Sequence, residues 1–143
     1  MNREEIETLN RLNALSKQVI GAAIEVHREL GPGLYESVYE LCLLKELELR
    51  GIHAVPQVPV PVIYKGIQLD KEYKIDILVE DELVVELKAV DALKAVHEVQ
   101  LTTYLKLTGK KIGLLINFNV PILKDGIKRR VNGFHTDFRL VRE

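Results

Sequence analysis

The side chains best suited to chemistry in this sequence are Asp76 and, shortly after it, the triplet Glu86-Leu87-Lys88. Two carboxylates on neighbouring segments offer the hard oxygen donors that Mg2+ and Mn2+ prefer. A lysine beside them can position a water or stabilise negative charge that develops during a reaction. A Glu-x-Lys triplet is common in charged sequences and says little alone. An acid on the preceding strand and a helix after it give the triplet weight.

Holding these groups together requires two strands. The spacing predicts strands over 71–79 and 83–89, joined by Glu80-Asp81-Glu82. Alternation puts Tyr73, Ile75, Ile77 and Val79 on one face of the first, with Glu72, Lys74, Asp76 and Leu78 on the other. In the second, Leu83, Val85 and Leu87 share a face, opposite Val84, Glu86 and Lys88. Both apolar faces must meet one core, so the register moves only in steps of two. The tightest fit pairs Val79 with Leu83 and Ile75 with Leu87, which sets Asp76 directly across from Glu86. Like charges so opposed destabilise a sheet. A cation between them would relieve that repulsion, which the metal-free protein is expected to store. The alternative is a solvated face whose charges are unrelated.

Other elements frame this pair. Ile6, Leu9, Leu12, Leu15, Val19, Val26 and Leu30 recur near a helical period, and Gly31-Pro32-Gly33 ends that helix. A second helix is predicted over 34–50, with Gly51 as its cap. Residues 55–64 alternate but carry Pro56, Pro59 and Pro61, which suits an edge strand or an extended arm. Lys65-Gly66 marks a turn. A helix over 92–108 ends at Gly109, a strand follows over 111–117, and a closing hairpin turns at Asp125-Gly126. The third helix crosses between two strands, so the expected class is mixed α/β (α+β), a mixed sheet flanked by helices. No repeat, low-complexity stretch or linker divides the chain, and one domain over 1–143 is expected.

The 143 residues are 47% apolar and 29% charged, ordinary for a globular domain. No apolar run reaches the length of a membrane span, and Met1-Asn2-Arg3-Glu4-Glu5 lacks a signal peptide's apolar stretch. The single cysteine, Cys42, leaves no intrachain disulfide and reads as a small buried hydrophobe, so a cytoplasmic location without membrane contact is expected. A net charge of -1 excludes a histone-like polycation. Lys124, Lys128, Arg129, Arg130, Arg139 and Arg142 form the one basic run that could follow a phosphate backbone, unless it is simply a solvated face. No Gly-rich phosphate loop, Cys-x-x-Cys or His-Glu-x-x-His is present.

Taken together, Asp76, then Glu86-Leu87-Lys88, then Gln100 and Tyr104 on the following helix resemble the RecB-like branch of the PD-(D/E)XK nuclease superfamily. Gly33-Leu34-Tyr35-Glu36-Ser37-Val38-Tyr39, with Gly21-Ala22-Ala23-Ile24-Glu25-Val26-His27 before it, is similar to the GxxExxY protein family. The resemblance covers roughly residues 10 to 135. It implies a restriction-endonuclease-like αβββαβ core, carrying here an extra N-terminal helix and a C-terminal hairpin. Ile75 stands where the superfamily's name expects proline, a departure that the RecB-like branch often shares.

The resemblance also implies metal-dependent cleavage of nucleic acid, with DNA as the expected substrate. Asp76 and Glu86, with the Leu87 carbonyl and Glu36, would hold Mg2+ or Mn2+. His27 is a further candidate ligand, because some RecB-like nucleases use a histidine on the first helical segment; a satisfied buried histidine is the other reading. Glu36 could instead serve only its helix, sitting third if Gly33 is the N-cap. Tyr39 reads as packing, or as a hydrogen bond to the acids. Gln100 and Tyr104 share a helix face with His97, and Gln100 would orient a ligand, water or phosphate. The rival function is a catalytically silent module that keeps the fold to bind nucleic acid or a protein. A homodimer is left open.

Overall fold

In the computed structural model, residues 1–133 are described. Helix α1, Arg3–Leu30, starts where the Asn2 side chain accepts a hydrogen bond from the Glu5 amide at 2.8 Å. Its apolar stripe buries Leu12, Val19, Ala22, Ala23 and Val26. Gly31 ends it at a φ of 69°, which glycine adopts without strain. Helix α2, Glu36–Leu49, follows at once. Tyr39 fastens the turn between them: its hydroxyl donates to the Gly31 carbonyl at 2.6 Å and accepts from the Leu34 amide at 3.2 Å. Its ring stacks on Phe118 at 4.4 Å, so Tyr39 packs in the core and does not join the acids.

Among the described residues five strands follow, in the spatial order of the chain: β1 Ala54–Tyr64, β2 Ile67–Val79, β3 Leu83–Lys88, β4 Ile112–Asn117 and β5 Ile127–Val131. Helix α3, Ala95–Thr108, links β3 to β4, and those two strands run parallel; every other pairing is antiparallel. The expected mixed sheet flanked by helices is therefore what forms. A parallel pair needs a crossover and is covered on both faces. Accordingly β4 is buried throughout and β3 is buried up to Lys88. One core, beneath α1 and α2, takes Ile77, Val79, Val85, Leu87, Leu114 and Ile116. The other, beneath α3, takes Val60, Ile75, Leu78, Val84, Leu101, Tyr104 and Leu105. Gly113 lets α3 sit close, since a Cβ there would meet Leu101 at 2.7 Å.

Several expectations change in detail. The third helix begins at Ala95, not Ala92, because the Lys94 amide bonds to His97 Nδ1 at 3.0 Å and fixes the start. This bond commits His97 to capping. Asp125-Gly126 ends a 3-10 turn, Leu123–Gly126, which delivers β5 back along β4 in place of a tight hairpin turn. Strand β1 is the edge strand that its prolines suggest.

Ile75 does not share a face with Ile77 and Val79: it lies in the core beneath α3, while the other two lie beneath α1 and α2. The strand therefore switches faces at Asp76. The basic run is also no single patch. Arg129 bonds Asn13 on α1, and Arg130 pairs with Glu98 on α3, across the sheet. Arg139 and Arg142 lie outside the described residues.

Candidate active site

Glu80, Asp81 and Glu82 loop out, and the β2–β3 ladder pairs Val79 with Leu83, Leu78 with Val84 and Ile77 with Val85. There it stops. The expected partnership of Ile75 with Leu87 does not form, and neither does a ladder pair between Asp76 and Glu86. Instead the two carboxylates bridge the opening. Glu86 Oε1 accepts from the Asp76 amide at 3.1 Å, and Asp76 Oδ2 accepts from the Leu87 amide at 2.8 Å. Each acid thus satisfies a backbone group of the neighbouring strand that the lost ladder would have orphaned.

Glu86 is 5% exposed, and its carboxyl pKa is pushed up to about 8. Burial is the main cause and the Asp76 charge the next; the Asp76 amide and the Lys88 ammonium pull the other way. The repulsion expected between two opposed charges is accordingly relieved near neutrality by a proton on Glu86 and by two amides. Lys88 ends β3 half-buried, and no hydrogen bond or ion pair engages its ammonium among the described residues.

The helix α3 face closes the site from one side. Gln100 Nε2 donates to the Tyr104 hydroxyl at 3.0 Å. The Tyr104 hydroxyl pKa is pushed up to about 12 by burial, then by the charges of Glu86 and Asp76. Tyr104 therefore keeps its proton, and while its oxygen accepts from Gln100 its hydrogen remains to be donated. The Tyr73 ring leans against Tyr104 at 5.6 Å. This bond ties the Gln100 side chain to Tyr104.

The acids of α2 approach from the other side. Glu36 is exposed at the first helical position, with Tyr35 rather than Gly33 as N-cap. One turn on stands Glu40, which the sequence reading missed. Its carboxyl pKa is raised by burial and by the charges of Asp76 and Glu36, against a bond from Gln57 Nε2 to its Oε1 at 2.7 Å. The signal was the spacing of four from Glu36, which repeats an acid on one helix face. Asn117 was missed too. It is 1% exposed and bonds both the amide and the carbonyl of Val90, so it fixes the chain just past Lys88, its partner across β3 and β4.

For a divalent cation the donor set fits. Asp76 Oδ1 and Glu86 Oε2 are left off the backbone amides, and the two carboxyl groups also hydrogen-bond each other. In an extended strand N–H and C=O point to one edge, so the Leu87 carbonyl faces the same opening as its amide. Three oxygens of the type that Mg2+ or Mn2+ takes are thus at hand. Among the described residues, however, no three His, Cys, Asp or Glu side chains gather as a group that could hold a metal. Glu36 and His27 are therefore not assembled with Asp76 and Glu86 into a cage. His27 is 9% exposed and its Nε2 bonds the Val120 carbonyl at 2.7 Å, the satisfied buried histidine of the alternative reading.

Residues 13–130 match the PD-(D/E)XK nuclease superfamily, and the chain belongs to it. The membership supports a nuclease-type function, which implies nucleic-acid binding, and nucleases of this superfamily generally use divalent metal ions. No curated protein and no solved structure matches the chain. No helix among the described residues is long and apolar enough to cross a membrane.

Proposed function

We propose that this single-domain chain is a metal-dependent nuclease that hydrolyses phosphodiester bonds, with DNA as its substrate, and that it sits in the GxxExxY family on the RecB-like branch. Superfamily membership establishes the fold more firmly than an activity. The observation that carries the activity is the opening between β2 and β3, where Asp76 and Glu86 hold each other's strands and each keep one carboxylate oxygen off the backbone.

Asp76, Glu86 and the Leu87 carbonyl would hold Mg2+ or Mn2+, while Glu36 and Glu40 keep the approach from α2 acidic. A cation there lowers the pKa of a water and offsets the charge of the scissile phosphate. The uncommitted Lys88 ammonium meets negative charge developing on the phosphate. The Tyr104 hydroxyl donates a hydrogen bond into the site, and Gln100 fixes its direction. The substrate is gripped mostly by its backbone, so little base readout is expected.

Labelled single- and double-stranded DNA and RNA of one sequence, each incubated with Mg2+, Mn2+ or EDTA, test the reading. Metal-dependent cleavage of DNA supports it. Binding without cleavage of any of the four would favour the silent module.

A further inference from the structure

At Asp76, where β2 enters the site, both flanking ladders lapse. On the β3 side pairing ends at Ile77 with Val85. On the β1 side it passes from Pro56 with Ile77 to Val58 with Ile75, leaving Gln57 and Asp76 unpaired. Gln57 has a φ of 53°, a left-handed conformation that residues other than glycine rarely adopt.

The faces show what this does. Ala54 packs with the core beneath α1 and α2, whereas Val58 and Val60 pack beneath α3. On β2 the same switch separates Val79 and Ile77 from Ile75. Strict alternation would hold each set on one face. A half-turn is therefore inserted in both strands at Gln57 and Asp76. Its product is a change of direction for one amide: Asp76 N–H turns from β1 and bonds Glu86 Oε1 at 3.1 Å.

The prolines agree independently. With unbroken alternation, Pro56 and Pro59 would point their nitrogens to opposite edges, and one would face β2 without a donor. The half-turn between them lets both face the open edge. Finally, Gln57 is anchored, since its Nε2 donates to Glu40 Oε1 on α2 at 2.7 Å. Asp76 and Glu36 are the other charged groups that act on Glu40 there.

We infer that Gln57 is a positioning residue: its left-handed backbone, tied to Glu40, turns the Asp76 amide onto Glu86 and so builds the two-carboxylate opening. The functional meaning of that opening rests on the metal-site reading above, but the geometry can be tested without it.

Amide hydrogen exchange at Asp76 and Mn2+ titration calorimetry, on the full chain, make the test. In wild type, Glu86→Ala should cost the Asp76 amide at least tenfold of its protection, because Glu86 is its acceptor. Gln57→Val, whose branched side chain resists a positive φ, should return the Asp76 amide to β1. Adding Glu86→Ala to Gln57→Val should then cost it no further protection, and Mn2+ affinity should fall at least tenfold. Gln57→Gly, which keeps the backbone conformation and loses only the tie to Glu40, should fall between. Should Gln57→Val fail to fold, Gln57→Ala with Glu40→Ala makes the same comparison. The inference is overturned if Asp76 protection still depends fully on Glu86 in Gln57→Val, or in the Gln57→Ala, Glu40→Ala protein that stands in for it, or never depends on it in wild type. If wild-type protein binds no Mn2+, the metal reading falls while the exchange result still decides the role of Gln57.

Discussion

Glu86 accepts the amide hydrogen of Asp76, while Asp76 accepts that of Leu87, next to Glu86 in the chain. The two acids are thus bound to each other's strands, which keeps both near one opening without a metal. Burial and the Asp76 charge hold a proton on Glu86 up to a pH of about 8, well above its ordinary value of 4.5. Between those two values the folded protein keeps a proton that the unfolded chain has released. The stability of the metal-free protein should therefore fall as pH rises through that window and level off above it. The slope can reach about 1.4 kcal/mol per pH unit for one proton. Mn2+ must displace this proton, so its affinity should rise with pH up to about 8, with proton release. Urea melts in EDTA and calorimetry in buffers of differing ionisation heat measure both. Glu86→Gln should flatten the two profiles; equal slopes in wild type and variant would contradict the assignment.

No hydrogen bond or ion pair engages the Lys88 ammonium among the described residues, while its charge acts on Glu86. Lys88→Ala should lower cleavage by about 10^2–10^3-fold, the usual loss of one positioned charge-stabilising donor. Mn2+ affinity should change little, because a protonated lysine is no ligand. A variant that cleaves within a few-fold of wild type would remove Lys88 from the mechanism.

The Gln100 amide holds the Tyr104 hydroxyl at 3.0 Å, so on the proposed mechanism the two act in series. Tyr104→Phe should slow cleavage about 10–100-fold, as expected for a hydrogen bond to a charged group of about 1.5–3 kcal/mol. Gln100→Ala should cost less, and the double variant should be no slower than Tyr104→Phe alone. Single-turnover rates decide it. Additive losses would mean that Gln100 touches the substrate directly.

His27 separates structure from metal binding. Its ring bonds the Val120 carbonyl at 2.7 Å and lies 6.4 Å from the Phe118 ring, tilted. His27→Leu should lower stability by about 1–3 kcal/mol, since Val120 loses its buried partner. Mn2+ affinity should remain within twofold. A tenfold weaker site in a folded variant would restore His27 as a ligand.

The period of two and the three helical patterns made the order of elements legible in the sequence. The register at Val79 and Leu83 was legible too, because the looped acids leave one tight fit for both apolar faces. The face switch was not. Alternation assumes an unbroken strand, and nothing in the type of Gln57 announces a positive φ. Three prolines at mixed spacing in residues 55–64 were the available sign, and they suggested an edge rather than a twist. Burial of Glu86 under α3 was also hidden, since a charged residue in a strand reads as solvated until its partners are known. His27 shows the reverse case: a residue type suited to metal, spent on a carbonyl that lies far along the chain.

Nicking of supercoiled plasmid by wild type, Glu86→Gln and Lys88→Ala, each with Mn2+ and with EDTA, tests the nuclease reading most directly. Glu86→Gln can keep an oxygen on the Asp76 amide, and so the local shape, while removing the charge that a cation needs. Wild type should convert the plasmid to open circles with Mn2+ alone, and both variants should leave it supercoiled although they melt cooperatively. Nicking that persists in EDTA, or is equal in wild type and Glu86→Gln, would contradict a metal-dependent nuclease centred on Asp76 and Glu86.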